Sequence, residues 1–102
     1  MNVKFVKLVT GEEVVCDLTI DDDFYHMRKP CILVPNGQSS MAIIPWMTFT
    51  EFEDDTAAIS KVHVIAVGNP ISEVSKQYQS AVSGIVTPNT EVLSAPKLTL
   101  TE

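Results

Sequence analysis

Over residues 3–67 the hydrophobic and polar positions fall into short extended segments bounded by turn signals, the pattern of β-strands. Residues 3–9 are β-branched and aromatic and run into Thr10, Gly11, Glu12 and Glu13, a turn in which Gly11 is free to take a positive φ. Residues 14–20 alternate: Val14, Cys16, Leu18 and Ile20 on one face, Val15, Asp17 and Thr19 on the other. Asp21, Asp22 and Asp23 break the pattern. An extended segment resumes over 24–34 with Pro30 inside it. A proline has no N–H for the ladder, so it predicts an edge, a bulge or a bend. Pro35, Asn36, Gly37 and Gln38 make the next turn. A fourth strand is predicted over 41–47, a charged loop over 51–55, and a fifth strand over 61–67, closed by Gly68.

Beyond Gly68 the period changes to three and four. Ile71, Val74, Tyr78, Val82 and Ile85 share one helical face. Asn69 is placed to cap that helix, Pro70 to occupy its first position and Gly84 to end it. The spacing predicts an amphipathic helix over 70–85, packed on the same domain as 1–69, and residues 86–102 form an expected loose tail. Five strands joined by tight turns, without crossover helices, predict a mainly β fold: an antiparallel sheet or a small barrel, whose closure removes edges. Residues 31–34, 41–44 and 64–67 are apolar on both faces. Such runs need a second cover, from the helix, from a neighbouring subunit, or from both.

Composition narrows the class. At 102 residues the chain is one domain, and 45 % apolar residues exclude a disordered chain. No apolar run approaches the ~20 residues of a membrane-crossing helix. The residues before Gly11 lack the uninterrupted apolar stretch of a secretory signal, so a cytoplasmic location is expected. Thirteen acids against seven bases give a net charge of −6, a field that repels phosphate backbones.

Candidate chemistry is sparse. Cys16 and Cys31 are too few for a disulfide framework and fall in apolar phase, so buried free thiols are expected in preference to a bridge or a reactive thiol. Asp21, Asp22 and Asp23 read as a solvated acidic turn, because the spacing and distal glutamate of a calcium loop are missing. His26 and His63 lack zinc-ligand spacing, Ser83–Gly84 lacks a nucleophile elbow, and four glycines make no phosphate loop. No catalytic residue, cofactor or metal is assigned, and an enzyme is not expected. Lys4, Lys7, Arg28 and Lys29, with Tyr25 and His26 close in sequence, read either as solvated strand ends or as an RNA-contacting patch. Trp46, Phe49 and Phe52 read as core or subunit interface, against a recognition surface.

One family likeness emerges. Lys7-Leu-Val-Thr-Gly-Glu-Glu-Val-Val-Cys-Asp-Leu18, then Asp21 to Asp23, then Tyr25-His-Met-Arg28, resembles the first Sm motif: apolar strand, glycine turn, second strand, acidic position, Met-Asn. Val62-His-Val-Ile-Ala-Val-Gly-Asn69 resembles the second, where Ile-Arg-Gly is usual. The likeness covers residues 3–69 and looks most like the Sm-like proteins of marine bacteriophages, cyanophages in particular, in which a C-terminal helix follows the barrel. It implies a strongly bent five-stranded barrel and a homo-oligomeric ring, a pentamer favoured, with the fourth strand of one subunit paired to the fifth of the next. On that basis Met41, Ile43, Ile44, Val64, Ile65 and Val67 line the subunit interface. The resemblance also implies RNA binding at the loops, which puts Asp23, Tyr25, His26, Arg28 and Lys29 in the candidate RNA site. The family pocket uses an aspartate and an asparagine from the first motif and an arginine before the glycine of the second. Here Arg28 stands at the asparagine position, Val67 at the arginine position, and one of Asp21 to Asp23 at the acidic one. The expected function is a non-enzymatic, ring-forming Sm-like protein with RNA as its loop partner. The alternative is a protein–protein scaffold without nucleic-acid binding, which the altered pocket and the charge of −6 favour. No membrane partner is expected.

Overall fold

The computed structural model describes residues 1–37 and 40–83. The fold is mainly β, with six strands in one antiparallel sheet followed by a helix. The strands are β1 (Val3–Leu8), β2 (Glu13–Ile20), β3 (Phe24–Pro35), β4 (Met41–Pro45), β5 (Thr56–Ser60) and β6 (Val64–Gly68), and the helix is α1 (Ser72–Val82). Their order across the sheet is β4-β3-β2-β1-β6, with β5 also paired to β3. The chain divides into two compact units: Met1–Ile32 with Pro45–Ile71, and Leu33–Ile44 with the chain from Ser72 onward.

In the first unit the β1–β2 hairpin closes as the sequence predicts. Gly11 takes φ +95°, and its N–H donates to the Leu8 carbonyl at 2.8 Å. The register Val6↔Val14 and Lys4↔Cys16 puts one face of both strands on the core. Val6, Leu8, Val14, Cys16, Leu18, Met27 and Ala57 are buried there, with Tyr25, Ile32, Trp46, Phe52, Ile59 and Val64 packed against them. Ile20, in phase with this face, ends its strand exposed. Val15 is also fully buried, on the opposite face from Val14 and Cys16, so the sheet is covered on both sides at this point.

β3 bends at a bulge. Asp17 pairs with Arg28, but two residues earlier on β2 Val15 pairs with Cys31, three residues later on β3. The extra residue lies at Lys29–Pro30, where Lys29 adopts φ +49°. A bulge needs no ladder donor, so Pro30 fits, and its carbonyl accepts the Trp46 N–H at 2.9 Å. The bulge is one of the three placements predicted for this proline.

Six strands stand where five were predicted. The fourth stops at Pro45 because Met47 turns to φ +54°. The chain then makes an excursion over residues 46–55 and returns to the same edge of β3 as β5, pairing Arg28↔Thr56 through Phe24↔Ser60. β5 reads Thr-Ala-Ala-Ile-Ser, and alanine is a weak strand former, so local pattern does not announce it. The predicted strand over 61–67 begins only at Val64, because Lys61–His63 is a 3-10 turn.

In the second unit Asn36 N–H donates to the Ser40 carbonyl at 3.1 Å and Gly37 takes φ +85°, closing the turn into β4. Ala42 is buried on β4. On α1 the predicted face holds: Val74 and Val82 are half-buried and Tyr78 is fully buried. The helix starts at Ser72 rather than Pro70, and Ile71 is exposed. Asn69 is no helix cap, since its Oδ1 accepts from Lys4 Nζ within the first unit. The predicted cap at Gly84, Ile85 and the tail over 86–102 lie outside the described residues.

Candidate functional site

Strand alternation divides the five residues of the candidate RNA site. Tyr25 and Met27 face the core, Tyr25 packing against it and Met27 fully buried. Phe24, His26 and Arg28 occupy the other face, with the Phe24 and His26 ring centroids 6.2 Å apart and tilted by 50°. Lys29 sits in the bulge, and Asp23 in the exposed turn before β3. Tyr25 is therefore half-buried against the core, on the opposite face of β3 from His26 and Arg28.

Two of the three aspartates of the turn have separate roles. Asp21 Oδ1 accepts the N–H groups of Asp23 at 2.9 Å and Phe24 at 2.8 Å. Asp21 Oδ2 lies 2.6 Å from His26 Nε2. The His26 hydrogen bond, and then the two backbone donors, hold the Asp21 carboxyl at about 2, below its ordinary 3.8. Asp21 thus closes the turn and fixes His26, while Asp23 offers its backbone carbonyl to the Lys61 N–H at 3.1 Å. Sequence reading missed this division. Its signal was Asp21 standing two and three residues before Asp23 and Phe24, the spacing of a side chain that turns its own backbone.

Arg28, Lys7 and Lys4 each lie beside an acceptor. Arg28 Nη1 is 4.0 Å from Oδ2 of Asp17, its cross-strand partner, and Asp17 Oδ1 also accepts the Asn2 N–H at 2.9 Å. Lys7 Nζ is 3.8 Å from Glu13 Oε2. Lys4 is held by Asn69. The outer face of β3 therefore presents two rings and one guanidinium whose charge is partly answered by Asp17. Phosphate affinity scales with the number of uncompensated Lys and Arg contacts, so this face is a weak electrostatic trap for RNA.

The second motif-like segment supplies the 3-10 turn Lys61–His63 and strand β6. Val67 pairs with Val6 inside the β1–β6 ladder. The residue brought beside the acidic turn is Lys61, through its N–H to Asp23. Val67 is thus a strand residue, as the predicted strand over 61–67 has it.

The six candidate interface residues split between the two units. In the first, β6 ends the strand order and pairs, among the described residues, with β1. Its register with β1 shifts between Lys7↔Ala66 and Leu8↔Val64, which leaves Ile65 as an unpaired, exposed bulge residue. Val67 is partly exposed, whereas Val64 packs on the core. In the second unit Met41 is exposed and Ile43 and Ile44 are half-buried, on β4 at the other end of the strand order.

Both cysteines are free and buried, and burial pushes each thiol up to about 12. Cys16 belongs to the core cluster, while Cys31 lies opposite Val15 and so on the other face of the sheet. Trp46 and Phe52 stack at 6.1 Å and 13° against the core, and Trp46 Nε1 donates to Glu12 Oε2 at 3.0 Å. Phe49, between them in sequence, is fully exposed. Among the described residues no three His, Cys, Asp or Glu side chains gather as a metal site requires, and no helix is long and apolar enough to cross a membrane. No family model and no curated protein matches the chain.

Proposed function

We propose that this chain is a non-enzymatic, ring-forming protein of the Sm-like kind, of phage origin and working in the host cytoplasm, whose copies join through strand edges. The observation that carries this reading is the β6 edge. An edge strand with unpaired N–H and C=O groups is ordinarily blunted with charge, proline or cover. Here Ile65 is 59 % exposed and Val67 38 % exposed on that edge strand, flanked by Val62 at 76 % and Ile71 at 65 %. Such an edge suits a strand of a second copy, and β4, with Met41 exposed, offers a strand at the other end of the order. Two different edges meeting head to tail close into a ring when the rotation allows. The bulge of β3 at Lys29–Pro30 and the glycine turn between β1 and β2 further support the likeness.

Light scattering at micromolar concentration tests the ring. A discrete multimer supports it, and a clean 11.2 kDa monomer overturns it. RNA at the loops is the second reading, favoured by the outward row Phe24, His26 and Arg28. Its test is titration of U-rich and A-rich single strands at low salt beside Arg28→Ala. Salt-sensitive binding lost in the variant supports RNA. Absence of binding at tens of micromolar leaves the protein scaffold.

A further inference from the structure

The loop over 46–55 is built to present an apolar tip. Its base is fixed by the Trp46–Phe52 stack, by Trp46 Nε1 on Glu12, and by the Trp46 N–H on the Pro30 carbonyl. Its bend is closed by the Thr50 N–H on the Met47 carbonyl at 2.8 Å and by Thr48 Oγ1 on the Pro45 carbonyl at 3.2 Å. Three of its residues, Met47, Asp54 and Asp55, hold positive φ. The two aromatics that pack are thus used inward, and Met47 at 48 % exposure and Phe49 at 101 % face solvent. A loop backbone already held before contact loses less entropy on binding, and an exposed aromatic on it is the kind of side chain enriched among interface anchors.

The charge around the tip selects the partner. Glu51, Glu53, Asp54 and Asp55 follow it, all exposed, and no Lys, Arg or His occurs between Lys29 and Lys61. Two such loops brought together would oppose carboxylates to carboxylates, so a second copy docked loop to loop is disfavoured. An anionic membrane or nucleic acid is repelled for the same reason. We propose that Met47 and Phe49 form a docking site for a cationic amphipathic segment of a different protein, its apolar face on the two side chains and its Lys and Arg groups over the acids of 51–55. The site uses no residue of the β6 edge, and its test is read separately from that of the ring.

Trp46 is the single tryptophan and sits at the base of the loop, so its emission reports binding. The full chain is titrated with three short helical peptides, Leu/Lys, Leu/Glu and Ser/Lys, at low salt and at ~0.3 M salt, where exposed charges more than a few ångströms apart are screened. Saturable binding of the Leu/Lys peptide, weakened by salt and weakened about tenfold or more in Phe49→Ser, is the expected result. The Phe49 side chain packs on nothing, so this variant keeps the fold. Equal binding by Ser/Lys or by Leu/Glu, unchanged binding in Phe49→Ser, or no binding of Leu/Lys overturns the proposal. Light scattering on the same samples reads the ring separately.

Discussion

Lys29 holds a left-handed backbone conformation inside a strand, at φ +49°. A β-branched residue there adds a clash between its Cβ substituents and the backbone, so Lys29→Val is expected to lose about 1–2 kcal/mol in urea unfolding. Asp21 makes the acid-side prediction. Its folded value lies below its ordinary 3.8, so folding favours the carboxylate. The stability it contributes is present above that value and is lost as pH falls through about 2. Asp21→Asn should flatten the fall in urea midpoint over that interval, and an unchanged acid slope would count against the His26–Asp21 contact. The two thiols make the alkaline one. Each is pushed up to about 12, so both stay protonated and shielded near pH 8. Iodoacetamide at that pH should label neither Cys16 nor Cys31 until denaturant is added.

At the scale of elements, β6 and β3 carry the argument. Ile65 is an exposed bulge residue without a cross-strand partner, so Ile65→Lys leaves the core untouched and places a charge on the open edge. The variant is expected to remain folded by circular dichroism and to shift the light-scattering mass toward the monomer. A multimer of unchanged mass would exclude β6 from the interface. β3 was legible as an extended segment with a proline defect, since period and composition are local properties. Its double partnership with β4 and then β5 was not legible, because it depends on a chain that leaves at Trp46 and returns at Thr56. The same holds for Asn69, a good helix cap by type that Lys4 reaches first across the fold.

For the whole molecule, the net charge of −6 and the pairing of Arg28 with Asp17 both weaken attraction to phosphates. If the ring forms, its unfolding is linked to association, and the thermal midpoint should rise with protein concentration across the micromolar range. A concentration-independent midpoint would speak for a monomer. Alternation alone determined that this chain is mainly β with a helix at its end, that Val14, Cys16 and Leu18 face a core, and that both thiols are buried. Those conclusions rest on periods of two and of three to four, which neighbouring residues fix by themselves. Tertiary structure alone decided that β5 returns to β3, that Lys4 takes Asn69, that Lys61 meets the acidic turn, and that Phe49 stands free while Trp46 and Phe52 pack. Each of those depends on contacts between residues distant along the chain or on a backbone turned to positive φ, and neither leaves a periodic trace in the sequence.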